Sequence, residues 1–152
     1  MTRKLTLSID PGNELSAYCF LEGYKPVSIG KVGNSELLQI IAEHPHDVMA
    51  IEMIASYGMP VGSTIFDTCV WLGRFIERST APHHLVYRKN VKLNLCHTHR
   101  AKDSNVRQAL LDRFGDVGTK KHPGWFYGFK SDIWSAYAVG ITYLDSIGSD
   151  HV

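Results

Sequence analysis

The first 32 residues contain three short strand-like runs joined by connections too brief to cross a sheet, and this limits the fold more than any other feature. Lys4 to Asp10 alternates, with Leu5, Leu7 and Ile9 against Lys4, Thr6 and Ser8, which is the period of a strand. Pro11-Gly12-Asn13 forces a turn. Ser16 to Leu21 and Pro26 to Val32 follow, separated by Glu22-Gly23-Tyr24-Lys25. Such short links join antiparallel neighbours, because a parallel pair needs a crossover of about a dozen residues. The chain therefore opens as an antiparallel three-strand meander.

After the meander the periodicity changes. Asn34 or Ser35 caps a helix to about His44, with Leu37, Leu38, Ile40 and Ile41 inward and Pro45 ending it. Asp47 to Glu52 reads as a central strand and Ile54 to Gly62 as a loop. Ser63 to Arg78 is a helix by its Ile65, Cys69, Leu72 and Ile76 spacing. His84 to Tyr87 is a short strand, and Asp103 or Ser104 opens a helix to Phe114. A polar, Gly- and Lys-containing stretch covers 115–128. The last helix, Ser131 to about Ser146, turns Ile133, Tyr137, Ile141 and Leu144 inward. The expected fold is α/β: a mixed sheet of ribonuclease H-like order, with the meander plus parallel strands and helices on both faces.

The 152 residues suffice for one core without staples, and no linker or repeat divides them, so a single domain over 1–152 is expected. A hydrophobic fraction of 44% against 20% charged residues excludes a disordered chain. Cys19, Cys69 and Cys96 are odd in number and far apart, the usage of a reducing compartment. Met1-Thr2-Arg3-Lys4 leads directly into a strand and no apolar run approaches about 20 residues, so a cytoplasmic protein without a membrane segment is expected.

The net charge of +1 conceals a polarity. From Arg88 to Lys130 ten Lys or Arg face three Asp, a net of +7, while the rest carries six basic residues against twelve acidic ones, a net of −6. A basic segment in an otherwise acidic chain suits a polyanion on one face and clustered carboxylates elsewhere, although a solvated lysine-rich face shows the same balance.

Three acids stand where that topology brings chain ends together. Asp10 ends the first strand, Glu52 ends the fourth, and Asp132 starts the last helix. Each has a structural reading: turn former, strand-end charge, helix cap. As a set they fit a hard divalent cation, since carboxylates at the ends of central strands are costly unless something pairs them. Two Mg²⁺ ions per site, with Mn²⁺ as a substitute, and Asp10 as the bridging ligand, would then serve phosphodiester hydrolysis. Cys96-His97-Thr98-His99, with His83 and His84 upstream, matches no closed zinc template. Neither a Walker-type phosphate loop nor a serine-nucleophile elbow is present.

Four stretches, SIDPG (8–12), AIE (50–52), VKLNLCHTHRAKDSNV (91–106) and KSDIWSAYAVGIT (130–142), resemble in this order the RuvC family of Holliday junction resolvases, including shorter phage-type members. The resemblance implies a homodimeric endonuclease that cuts four-way DNA junctions with Mg²⁺, in a bacterial cell or encoded by a phage. It implies catalytic and metal-ligating roles for Asp10, Glu52 and Asp132. Lys92 and Lys102 would lie at the scissile phosphate, with Lys89, Arg100 and Arg107 on the DNA backbone.

Two departures stand out. The family places another acid one helical turn after Asp132, where this chain has Ser135, and Asp103, the nearest alternative acid, also reads as a helix cap. The family's stacking aromatic is replaced by Ala55, and Tyr57 is the residue available to stack on an unpaired base. The helix over 63–78, with Phe66, Cys69, Val70 and Phe75, is the expected dimer face. A catalytically weak junction-binding module and a less selective ribonuclease H-like nuclease remain open beside the resolvase.

Overall fold

The computed structural model describes residues 3–148; Met1, Thr2 and residues 149–152 lie outside the described residues. Strands β1 (Leu5–Asp10), β2 (Leu15–Glu22) and β3 (Lys25–Gly33) form the meander. Helix α1 (Asn34–Glu43) leads to β4 (Val48–Met53), and α2 (Ser63–Arg78) leads to β5 (His83–Tyr87). Helices α3 (Arg88–Cys96), α4 (Asp103–Phe114) and α5 (Ile133–Ile147) complete the chain. The sheet runs β3-β2-β1-β4-β5, antiparallel among the first three strands and parallel from β1 to β4 and from β4 to β5. This is the mixed sheet that the order of periodicities predicts.

Strand alternation divides the core into two layers. Leu7, Ile9, Phe20, Met49 and Ile51 face α1 and α2, joined by Leu37, Ile41, Leu72 and Phe75. Ala17, Cys19, Leu21 and Ala50 face the other way, onto α5. The residues on the α5 side are small for a reason: a Cβ added to Gly140 would lie only 3.0 Å from Cβ and Oγ of Ser8. The helix thus lies almost directly on β1, fixing its first turn near the carboxyl end of that strand.

Four sequence expectations change. Helix α5 is buried on nearly all sides, with Trp134, Ala136, Ala138, Val139 and Thr142 buried as well as the four inward residues expected. Its cover comes from α3, α4 and the aromatic group Phe114, Trp125, Phe126 and Phe129. The supposedly polar stretch over 115–128 therefore contributes core: Phe126 is fully buried, and Trp125 Nε1 donates to Tyr137 Oη at 3.0 Å.

Helix α3 is not announced by any sequence pattern over 88–102. It begins without a side-chain cap, and only Val91 is buried along it, so it lacks an apolar stripe. Tertiary contacts hold it. Asn94 of α3 and Arg113 of α4 both donate to Asp145 of α5, the latter through two hydrogen bonds of 2.8 Å. Burial raises the Asp145 carboxyl, but these hydrogen bonds outweigh it and keep the group below its usual range.

Neither Asn34 nor Ser35 caps α1; Gly33 occupies the cap position and offers no side chain. Asn34 is committed elsewhere. Its Nδ2 donates to Gly12 O at 2.9 Å, and its Oδ1 accepts from Ser16 Oγ at 2.6 Å.

Candidate active site

Asp10 and Glu52 meet because β1 and β4 run parallel in the register Ser8↔Ala50 and Ile9↔Ile51. The next step places the two carboxylates side by side on the α5 face of the sheet. Pro11-Gly12 then turns the chain away, and Gly12 is obligatory, since a Cβ there would lie 2.2 Å from Leu15 O. Ser16 Oγ accepts from Gly12 N at 3.0 Å, so Ser16 and Asn34 together brace the turn behind Asp10. The turn-forming and the functional readings of Asp10 are thus compatible.

The electrostatics of the pair are unbalanced. Burial, the adjacent Glu52 charge and a side-chain hydrogen bond shared with Glu52 push the Asp10 carboxyl up to about 8, with Asp132 adding to the rise and Arg88 opposing it. Glu52 is buried, and its Oε1 has no hydrogen-bond partner. A buried carboxylate oxygen without a donor is costly. Arg88 Nη1 approaches it at 3.8 Å, too far for a hydrogen bond.

Asp132 occupies the cap position of α5 but makes no capping hydrogen bond. Its Oδ2 instead accepts from Lys31 Nζ of β3 at 2.7 Å. The preceding Ser131 lies at φ 51°, a left-handed conformation uncommon for a residue with a Cβ. Among the described residues no three Asp, Glu, His or Cys side chains converge as a ready metal cluster. The structure brings Asp10 and Glu52 together, with Asp132 close enough to raise Asp10 but paired to lysine.

Two clefts share Arg88, the cation nearest Glu52. One, of about 190 Å³, is lined by Arg88, Asp103, Arg107, Asp132, Trp134 and Ser135 among others. Ser135 therefore faces the same space as Asp132, one helical turn on. Asp103 is not a cap: Lys102 holds that position, and Asp103 forms an ion pair with Arg88 Nη2. Arg107 lies over the Trp134 ring at 5.6 Å.

The second cleft, of about 470 Å³, is lined by Tyr57, Arg88, Lys89, Lys92 and His99. Helix α3 gathers Lys89 and Lys92 at i and i+3 onto one side. Tyr57 is exposed, at φ 50° in the loop before α2. The remaining basic candidates lie apart. Arg100 lines a separate cleft with Cys96, Asn105 and Asp112, and Lys102 is exposed at the start of α4, its N–H donating to Asn105 Oδ1.

Arg88 is the residue that sequence reasoning missed. It lines both clefts and contacts both Glu52 and Asp103. Its only sequence signal is its place, immediately after the strand that neighbours β4.

No protein-family model and no curated protein matches this sequence. Solved structures do match in fold. The chain superposes on the Thermus thermophilus RuvC structure with a TM-score of 0.67 at 15% identity, covering 95% of this chain and 97% of that one. T. thermophilus RuvC in complex with Holliday junction substrate gives 0.65 at 14% identity, covering 92% of each. The fold of this chain is that of RuvC, a ribonuclease H-like mixed sheet flanked by helices.

Proposed function

We propose that this protein is a metal-dependent, structure-selective DNA endonuclease that resolves four-way junctions by phosphodiester hydrolysis. The observation that carries the reading is the Asp10–Glu52 pair: two carboxylates pressed together on adjacent strands, one raised and one with an orphaned buried oxygen. That arrangement fits a hard divalent cation, Mg²⁺ or Mn²⁺, which would satisfy both defects. When bound, such a cation neutralises charge on the phosphodiester and acidifies water. Asp132, paired with Lys31 at 2.7 Å, would border the ion without ligating it.

The substrate class follows from the neighbouring groove. Lys89 and Lys92 present cations to a phosphate backbone, and Tyr57 offers an exposed ring to an unpaired base at a branch point. Lys102, Arg100 and Arg107 would extend the backbone contacts. A neighbour of the same fold was solved with a Holliday junction, which favours branched over linear DNA.

A two-fold junction asks for a two-fold protein. Helix α2 supplies the expected face through Phe66 and Val70, both more than 60% exposed. Phe75, also expected there, is fully buried in the core with Leu72. The chain's described helices include none long and apolar enough to cross a membrane.

A junction-binding module with weak catalysis is the second reading, favoured by the Lys31–Asp132 pair and by a hydroxyl at Ser135. One assay separates them. The protein is incubated with labelled four-way junction, flap and linear duplex in Mg²⁺ or Mn²⁺, alongside Asp10→Asn. Paired nicks on the junction, reduced at least about a hundredfold in the variant, are expected. Tight junction binding without nicking in either metal would favour the binding module, equal cutting of all three substrates would favour the less selective nuclease, and inertness toward junctions in both respects would sink the reading.

A further inference from the structure

We propose that this site takes one divalent cation per protomer, held by Asp10 and Glu52, and that Arg88, clamped by Asp103, provides the second positive charge. The inference rests on the nuclease reading and replaces the two-ion site expected from sequence.

Arg88 stands between two acids of the site, Glu52 and Asp103. One guanidinium nitrogen approaches the orphaned side of Glu52 at 3.8 Å, and the other is ion-paired with Asp103. Arg88 also lines the basic groove with Tyr57, Lys89 and Lys92, so it borders both the acidic pair and the path open to a phosphate. Guanidinium is a planar fork of donors that cannot lose its proton, and it matches phosphate oxygens in pairs.

The ligand inventory points the same way. A second hard cation beside Glu52 would compete with Arg88 for that carboxylate. In the adjoining cleft it would find two acids, Asp103 and Asp132, each already ion-paired, with Arg88 and with Lys31 respectively, beside the neutral hydroxyls of Ser131 and Ser135. With Asp10 in its ionised, metal-binding form, Asp10, Glu52, Asp103 and Asp132 set against Lys31 and Arg88 leave two negative charges, the charge of one divalent ion. Arg107, also in this cleft, lies over Trp134 and forms no ion pair among the described residues.

Asp103 acts through Arg88 and is a positioning residue. Its side chain is 75% exposed, so its part is to hold the guanidinium rather than to contribute a buried ligand.

The test counts ions apart from turnover. Mn²⁺ bound per protomer is measured by electron paramagnetic resonance, on the free protein and on its complex with nicked junction product. One ion in both states is expected for the wild type. Arg88→Gln should bind Mn²⁺ about tenfold more tightly or take up a second ion, because a competing positive charge is gone. It should also cut about a hundredfold more slowly at saturating metal, the usual cost of removing a transition-state charge partner. Asp103→Asn should still bind one ion and should lower kcat with KM unchanged. Circular dichroism spectra and melting curves establish that each variant is folded.

Two ions in the wild type, Mn²⁺ affinity and count both unchanged in Arg88→Gln, or loss of the ion in Asp103→Asn would each overturn the proposal. No junction cleavage by the wild type, with the expected Mn²⁺ counts intact, would overturn the nuclease reading while supporting the charge substitution.

Discussion

Asp10 changes meaning with its neighbours. In the sequence it stands in Asp-Pro-Gly, a turn-forming triplet, and the turn is real: Gly12 has no room for a side chain, and Asn34 and Ser16 secure the loop. What the triplet does not show is that burial, together with the Glu52 that the parallel register of β4 sets beside it, raises its carboxyl from an ordinary 3.8 to about 8. The folded protein therefore binds this proton across a pH range in which the unfolded chain has released it. Its contribution to stability is fully present below about pH 4 and is lost as pH rises through about 8. In metal-free solution the wild type should melt at lower temperature at pH 9 than at pH 6, and Asp10→Asn should flatten that difference and raise the melting temperature at pH 9. Calorimetry checks it, and an unchanged slope in the variant would count against the carboxylate contact. Adding Mg²⁺ at pH 7 should release protons, because the ligand form of Asp10 is the ionised one.

Among the elements, α3 shows how little local pattern a helix needs. Its sequence, RKNVKLNLC, is polar with one fully buried residue, and it starts directly at the end of β5 and stops at His97 in a left-handed conformation. Being helical is what brings Lys89 and Lys92 to one groove and Arg88 to its border; in an extended segment adjacent side chains would alternate between faces. For such a groove, Lys92→Ala should weaken junction binding about equally across DNA sequences and lower the slope of log affinity against log salt by about 1. Fluorescence anisotropy over 50–300 mM salt measures this. A slope that stays constant would remove Lys92 from the backbone contacts. Helix α5 presents the opposite case: its hydrophobic composition is obvious in sequence, but its burial on nearly all sides depends on α3, α4 and the aromatic residues after Phe114.

At the scale of the whole molecule, the sheet separates two tasks. On one face α5, α3 and α4 assemble the acids and the basic groove; on the other, α1 and α2 close a second core layer and leave Phe66 and Val70 uncovered. An exposed apolar pair one turn apart on an amphipathic helix is suited to self-association. Phe66→Glu should convert a dimer to monomer in sedimentation velocity and abolish paired nicking, while leaving the melting temperature nearly unchanged because the residue contributes little to the core. A dimer that persists in Phe66→Glu would place the interface elsewhere.

The meander, the β-β-β-α-β order and the acids at the ends of β1 and β4 were legible because strand period and turn chemistry are local, and residues 4–52 are dominated by local rules. The spans of α2 and α4 were legible for the same reason. Tertiary structure alone decided α3, the aromatic core within 115–128, the pairing of Asp132 with Lys31, and Arg88 between Glu52 and Asp103. Each depends on which partner lies across a gap in space, and a one-dimensional pattern does not encode that distance. Sequence thus determined where carboxylates would gather; three-dimensional packing decided which cations stand against them.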